Sequence, residues 1–112
     1  MKKNKWYLWE EIVKEHYQWK GYNLLKKNYT IKWGEIDLIF DDENTIVFVE
    51  VKVIDWIEDL FDYISQNKLK FLSKTIIYYL NKFPSNKMYR LDVVFVKNQK
   101  IYEIYENVEV QT

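Results

Sequence analysis

The sequence contains no cysteine, one histidine, two glycines and one proline among its 112 residues. Without cysteine there is no disulfide framework, no thiolate zinc site and no cysteine nucleophile. His16 alone cannot build a His-rich metal site or a Ser-His-Asp triad. The scarcity of Gly and Pro excludes collagen-like and linker-like chains. No uncharged run approaches the ~20 apolar residues of a membrane span. The charged start Met1-Lys2-Lys3-Asn4-Lys5 runs into Glu10, Glu11, Lys14 and Glu15 instead of the apolar core of a signal peptide, so a soluble cytoplasmic protein is expected. Any chemistry must come from carboxylates, lysines, hydroxyls or a metal held by oxygen ligands.

Hydrophobic residues at 48% and charged residues at 30% describe a folded chain. Its length suits one domain spanning residues 1–112, with its own core. Sixteen Lys stand against one Arg, and Asn, Ile and Tyr are abundant. This bias points to an AT-rich genome and weakens readings of single Lys or Tyr residues. The net charge is zero, but it is segregated: +5 over residues 1–34, −9 over 35–62, +7 over 63–100 and −3 over 101–112. An acidic centre between basic blocks suits a metal site beside a polyanion. Solvated faces and helix ends are the plainer explanation of such runs.

The periodicity predicts a helix over 7–20, with Leu8, Ile12, Val13 and Trp19 near its inner face and Gly21 as its C-terminal stop. Residues 22–31 are β-compatible, and Trp33-Gly34 marks a bend. Over 35–40, Ile36, Leu38 and Phe40 face one way and Glu35, Asp37 and Ile39 the other. The polar turn 41–44 joins this strand to 45–54, the most apolar and β-branched segment, so a hairpin is expected. Asp55 to Glu58 has the form of a capping box, followed by Asp59 and Asp62 in a first helical turn. Ser65 is a second helix start, and Leu69, Leu72, Ile76 and Leu80 keep helical spacing up to Phe83-Pro84. Two strands, 88–97 and 101–110, follow around a turn at Asn98-Gln99. The expected fold is α/β: a sheet of about five strands with helices packed on it.

The central strand carries an anomaly. Val47, Val49, Val51 and Val53 form one face, while Glu50 and Lys52 share the other with Ile46, Phe48 and Ile54. A buried carboxylate or ammonium needs a partner or a metal, and a Glu-Lys pair at the sheet edge is the simplest account. The hairpin also sets Asp37 beside Glu50. Two adjacent carboxylates repel, and a divalent cation with oxygen ligands is the common resolution. Lys52 on that face can orient a water or neutralise charge on a phosphate. These three side chains suit metal-dependent phosphodiester hydrolysis.

Asp37…Glu50-Val51-Lys52 looks like the PD-(D/E)xK signature of the restriction-endonuclease-like fold. The wider set of Glu10, Gly21-Tyr22, Asn28, residues 34–39, residues 47–52, Lys68 and residues 90–94 resembles the YraN family. That small bacterial endonuclease-like family is related to Holliday junction resolvases. The resemblance spans roughly residues 10–96. It implies a mixed sheet of about five strands flanked by helices, with Asp37 and Glu50 as ligands of Mg²⁺ or Mn²⁺. The carbonyl of Val51 would be a third ligand and Lys52 the catalytic lysine. Glu10 would be an outer acid approaching from the first helix, with an ordinary exposed helix acid as the alternative. Glu35 is a further candidate, and Gln66 and Lys68 are candidates for phosphate contact. The family's usual Thr or Ser, then Arg, after Glu-x-Lys is here Val53-Ile54, and its usual Gly before the first-helix acid is Trp9. Arg90 and Asp92 share a strand face and read as a structural ion pair, and His16 as a packed or surface residue. Trp6, Trp9 and Trp19 are candidates for base stacking, although most of the aromatic side chains suit the core.

The expected function is a metal-dependent nuclease acting on DNA, with branched or single-stranded forms and RNA as further options. A nucleic-acid-binding module of the same fold and an adaptor domain with a vestigial acid cluster are the alternatives. Oligomeric state stays open, a homodimer included.

Overall fold

The β-branched stretch Thr45–Val53 forms β3, the central strand of a five-stranded sheet. The computed structural model describes residues 5–55 and 65–109. In chain order the elements are α1 (Lys5–Trp19), β1 (Asn23–Ile31), β2 (Gly34–Asp41), β3, α2 (Gln66–Lys82), β4 (Met88–Lys97) and β5 (Lys100–Tyr105). Strands lie in sequence order. The pairs β1–β2, β2–β3 and β4–β5 are antiparallel, and β3–β4 is parallel. A parallel neighbour cannot be reached by a tight turn, so α2 lies in the crossover between β3 and β4. This mixed sheet flanked by two helices is the architecture the sequence predicts.

The two helices cover opposite faces. Val13 and Tyr17 of α1 pack with Leu38, Phe40, Val47, Val49 and Val51, and the Tyr17 and Phe40 rings stack at 4.8 Å. Leu72, Ile76 and Tyr79 of α2 pack with Ile39, Ile46 and Phe48. Burial on both sides explains why β3 reads as almost continuously apolar. Each fully buried large side chain contributes about 1.5–3 kcal/mol.

Local signals hold well. Gly21, at φ 97°, ends α1. Its N–H donates to the Gln18 carbonyl and that of Tyr22 to the Tyr17 carbonyl, as in a Schellman motif. Asp42 Oδ1 accepts from the N–H groups of Asn44 and Thr45, shaping the β2–β3 turn. Ser65 caps α2 by accepting from the Lys68 N–H. Asn98 and Gln99 both have positive φ in the β4–β5 turn.

Three expectations are corrected. Leu8 and Trp19 are exposed rather than inward; α1 turns Glu10, Val13 and Tyr17 inward instead. Its apolar residues are spread around the helix, so packing against the sheet, not hydropathy, selects the face. Ile36 joins the α2-side cluster, opposite Leu38 and Phe40. The alternation breaks at Asp37, where the observed β2–β3 register stops at Leu38↔Val49. The last strand ends at Tyr105 instead of 110, because the following segment turns back and the Val108 N–H donates to the Leu91 carbonyl. The capping box at 55–58 and the acids at 59 and 62 lie, past Asp55, outside the described residues.

Candidate active site

Asp37 and Glu50 meet where β2 parts from β3. With the ladder ended at Leu38↔Val49, the Val51 N–H is satisfied by a side chain: it donates to Asp37 Oδ2 at 2.7 Å. Asp37 is 3% exposed and Glu50 4%. Burial, then the Glu50 charge, pushes the Asp37 carboxyl up to about 8, against the opposing pull of the Val51 N–H. A hydrogen bond between the two carboxyl groups acts in the same upward direction. The ionised form of Asp37 is therefore disfavoured in this position beside Glu50.

Lysines approach from two elements. Lys52 Nζ lies 3.2 Å from Glu50 Oε2, as the same-face spacing on β3 requires. Lys68 Nζ, from the first turn of α2, lies 3.2 Å from the same oxygen. This second contact was not legible in the sequence, since eighteen residues and a crossover separate the partners. Gln66 is exposed on that first turn.

Glu10 reaches the site from α1. It is 3% exposed, and its Oε1 is buried with no hydrogen-bond partner among the described residues. Burial raises its pKa; the Asn28 side chain, within hydrogen-bonding reach, and Lys27 oppose that rise, while the charges of Glu35 and Glu11 add to it. The Glu10 charge also raises the Asp37 pKa, so this inner acid of α1 is part of the neighbourhood and not a solvated helix residue. Asn28 adopts φ 51°; its identity, tolerant of a left-handed backbone, was the only local sign of a special position. Glu35 is exposed at the start of β2 and acts on Glu10 only through its charge. Among the described residues, no three His, Asp or Glu side chains are grouped so as to hold a metal ion by themselves.

Asp92 has a different character. Wholly buried, it accepts from Tyr17 Oη at 2.7 Å, Arg90 Nε at 3.0 Å, Arg90 Nη2 at 3.2 Å and the Asn107 N–H at 3.0 Å. A carboxylate with four donors is satisfied, and it ties α1, β4 and the segment after β5 together. This is the structural ion pair expected of Arg90 and Asp92. His16 is half-buried, and burial lowers its pKa. Trp19 is 85% exposed at the end of α1, and Trp9 packs on the core.

No helix among the described residues is long and apolar enough to cross a membrane. The chain is similar to a UPF0102 protein of Vibrio vulnificus strain YJ016, 39% identical over 93 residues, covering 79% of this chain and 76% of the relative. A UPF0102 protein of Fervidobacterium nodosum is 34% identical over 110 residues, covering 95% and 82%. One from Campylobacter fetus is 29% identical over 92 residues, covering 82% of each. Residues 9–96, which hold Glu10, Asp37, Glu50, Lys52 and Lys68, match a single family description, and the chain belongs to that family, the uncharacterised protein family UPF0102.

Proposed function

We propose that the chain is a metal-dependent nuclease hydrolysing phosphodiester bonds in DNA. One observation carries the reading: Asp37 and Glu50 lie together nearly closed off from solvent, where burial and the Glu50 charge both disfavour an ionised Asp37. A divalent cation removes that conflict. The donors suit a hard cation such as Mg²⁺ or Mn²⁺, which needs only one or two carboxylates and keeps several waters. Asp37, Glu50 and the Val51 carbonyl would hold it, and Glu10 Oε1, without a partner among the described residues, would accept from a bound water. The cation supplies Lewis-acid polarisation of the phosphate and an activated water. Lys52 swings from Glu50 to the phosphate and neutralises charge developing there. Lys68, with Gln66 beside it, holds an adjacent phosphate, and Glu35 adds negative potential at the rim.

The second reading is a nucleic-acid-binding module with little or no turnover. It is favoured by the pairing of Glu50 with Lys52 and Lys68, which balances its charge without any cation. Cleavage of linear, nicked, flapped and four-way DNA with Mg²⁺ or Mn²⁺ separates the two. Metal-dependent cleavage lost in Asp37→Asn is expected. DNA binding without cleavage of any form, by wild type at either metal, would replace the nuclease with the binding module.

A further inference from the structure

Two neighbouring elements carry lysines and no acid. The stretch 23–33, β1 and its turn, holds Lys26, Lys27 and Lys32; α2 holds Lys68, Lys70, Lys74 and Lys82. They meet where the turn before β2 lies against α2: a Cβ at Gly34 would overlap the Thr75 hydroxyl and come within 3.3 Å of the Phe71 carbonyl. Between them runs a groove of ≈ 340 Å³ lined in part by Tyr29, Lys32, Trp33, Tyr78 and Lys82.

Its rim is aromatic. Trp33 and Tyr78, 57% and 45% exposed, line it, and Phe71, 45% exposed, stands further toward the start of α2 beside the Gly34 turn. Phe71, Lys74, Tyr78 and Lys82 recur at three- or four-residue spacing, so they share one side of α2. Lysines sit against the rings: Lys32 over Trp33 at 5.8 Å and Lys74 over Phe71 at 5.8 Å. The Tyr29 hydroxyl is buried here without a hydrogen-bond partner among the described residues. Apolar core packing explains none of these exposed rings, and a membrane-facing helix would not need the turn.

We infer that this groove is a stacking track for a single DNA strand leading to the acid pair. Exposed bases stack on Trp33, Tyr78 and Phe71, while Lys32, Lys74 and Lys82 neutralise the phosphates. A duplex hides its base faces and gains only the lysine contacts. One helix joins groove and site: Lys68 in the first turn of α2 pairs with Glu50, and Tyr78 and Lys82 further along it line the groove. From Lys68 to Lys82 the helix rises ~21 Å, roughly six nucleotides at ~3.4 Å per strand charge. The inference rests on the nuclease reading for its direction, and it names the substrate: DNA with a single-stranded arm.

The test is fluorescence anisotropy in EDTA, so that its outcome is independent of cleavage. Labelled oligo-dT and a duplex of equal length are titrated with wild type, Trp33→Ala, Tyr78→Ala, Trp33→Phe and the pair Lys32→Gln/Lys82→Gln. Each alanine variant should lose roughly tenfold or more in affinity for the single strand and less than twofold for the duplex. Trp33→Phe should restore most of the loss, and the lysine pair should flatten the salt dependence by about 0.7 per lost contact. Melting curves identify any variant that fails to fold, and Trp33→Phe then stands as the folded comparison. Equal single-strand affinity for wild type and both alanine variants overturns the track. So does an equal loss on duplex and single strand, or single-strand binding too weak to titrate at low salt. Failure of cleavage with these results intact would overturn the nuclease alone.

Discussion

Replacing Asp37 by Asn should stabilise the metal-free protein and remove most of its loss of stability with rising pH. Asp37 has an ordinary pKa near 3.8 when unfolded and is pushed up to about 8 when folded. The folded state therefore keeps a proton that the unfolded state releases. Its contribution is fully present below pH ~3.8 and fades as pH rises, levelling off above ~8. The slope between those limits is ~1.4 kcal/mol per pH unit, so the cost at pH 7 is at most about 4 kcal/mol, and less where the site relaxes. Asn is nearly isosteric, and its oxygen can still accept from the Val51 N–H, which donates to Asp37 at 2.7 Å. Urea denaturation at pH 5, 6, 7 and 8 in EDTA, for wild type and Asp37→Asn, isolates the coupled pair, because the titrations of distant groups cancel in the difference. The difference should grow in favour of the mutant by ~1 kcal/mol or more per unit. Mg²⁺ should reverse the order at pH 8 by stabilising wild type alone. A pH-independent difference, or a mutant less stable than wild type at pH 7–8 without metal, would refute the buried-pair argument.

Lys52→Ala should abolish metal-dependent cleavage, a loss of about a hundredfold or more, while DNA affinity stays within a few-fold; equal cleavage by identically prepared wild type and variant would remove Lys52 from the site. Gly34→Ala should lower stability by ~1–3 kcal/mol, because the new Cβ overlaps the Thr75 hydroxyl; an unchanged thermal midpoint would show that the β1–β2 turn yields freely. Arg90→Ala should cost ~3–5 kcal/mol by leaving Asp92 as an uncompensated buried charge. Tyr17→Phe should cost less, ~1.5–3 kcal/mol, having removed one of four donors. Denaturant midpoints that rank the two in the reverse order would count against this account of Asp92.

What the sequence by itself determined was local. A continuous apolar, β-branched run marked β3, because a strand covered on both faces buries side chains of either parity. A short polar turn made the hairpin antiparallel, and that pairing alone set Asp37 beside Glu50. Gly21 and Ser65 stopped and started the helices through backbone needs confined to a few residues. Other features depended on tertiary structure. Leu8 and Trp19 looked inward by hydropathy, yet α1 buried Glu10, Val13 and Tyr17, since a helix without a dominant apolar stripe is oriented by its neighbours. The break in alternation at Asp37 followed from β2 leaving β3, an event set by the whole sheet. Lys68 met Glu50 only because the crossover brought the start of α2 over the β3 site. Trp33 and Tyr78, forty-five residues apart, became one groove by the same docking. Backbone geometry is written in nearest neighbours, whereas the meeting of distant side chains depends on how elements dock, and no short-range period encodes that.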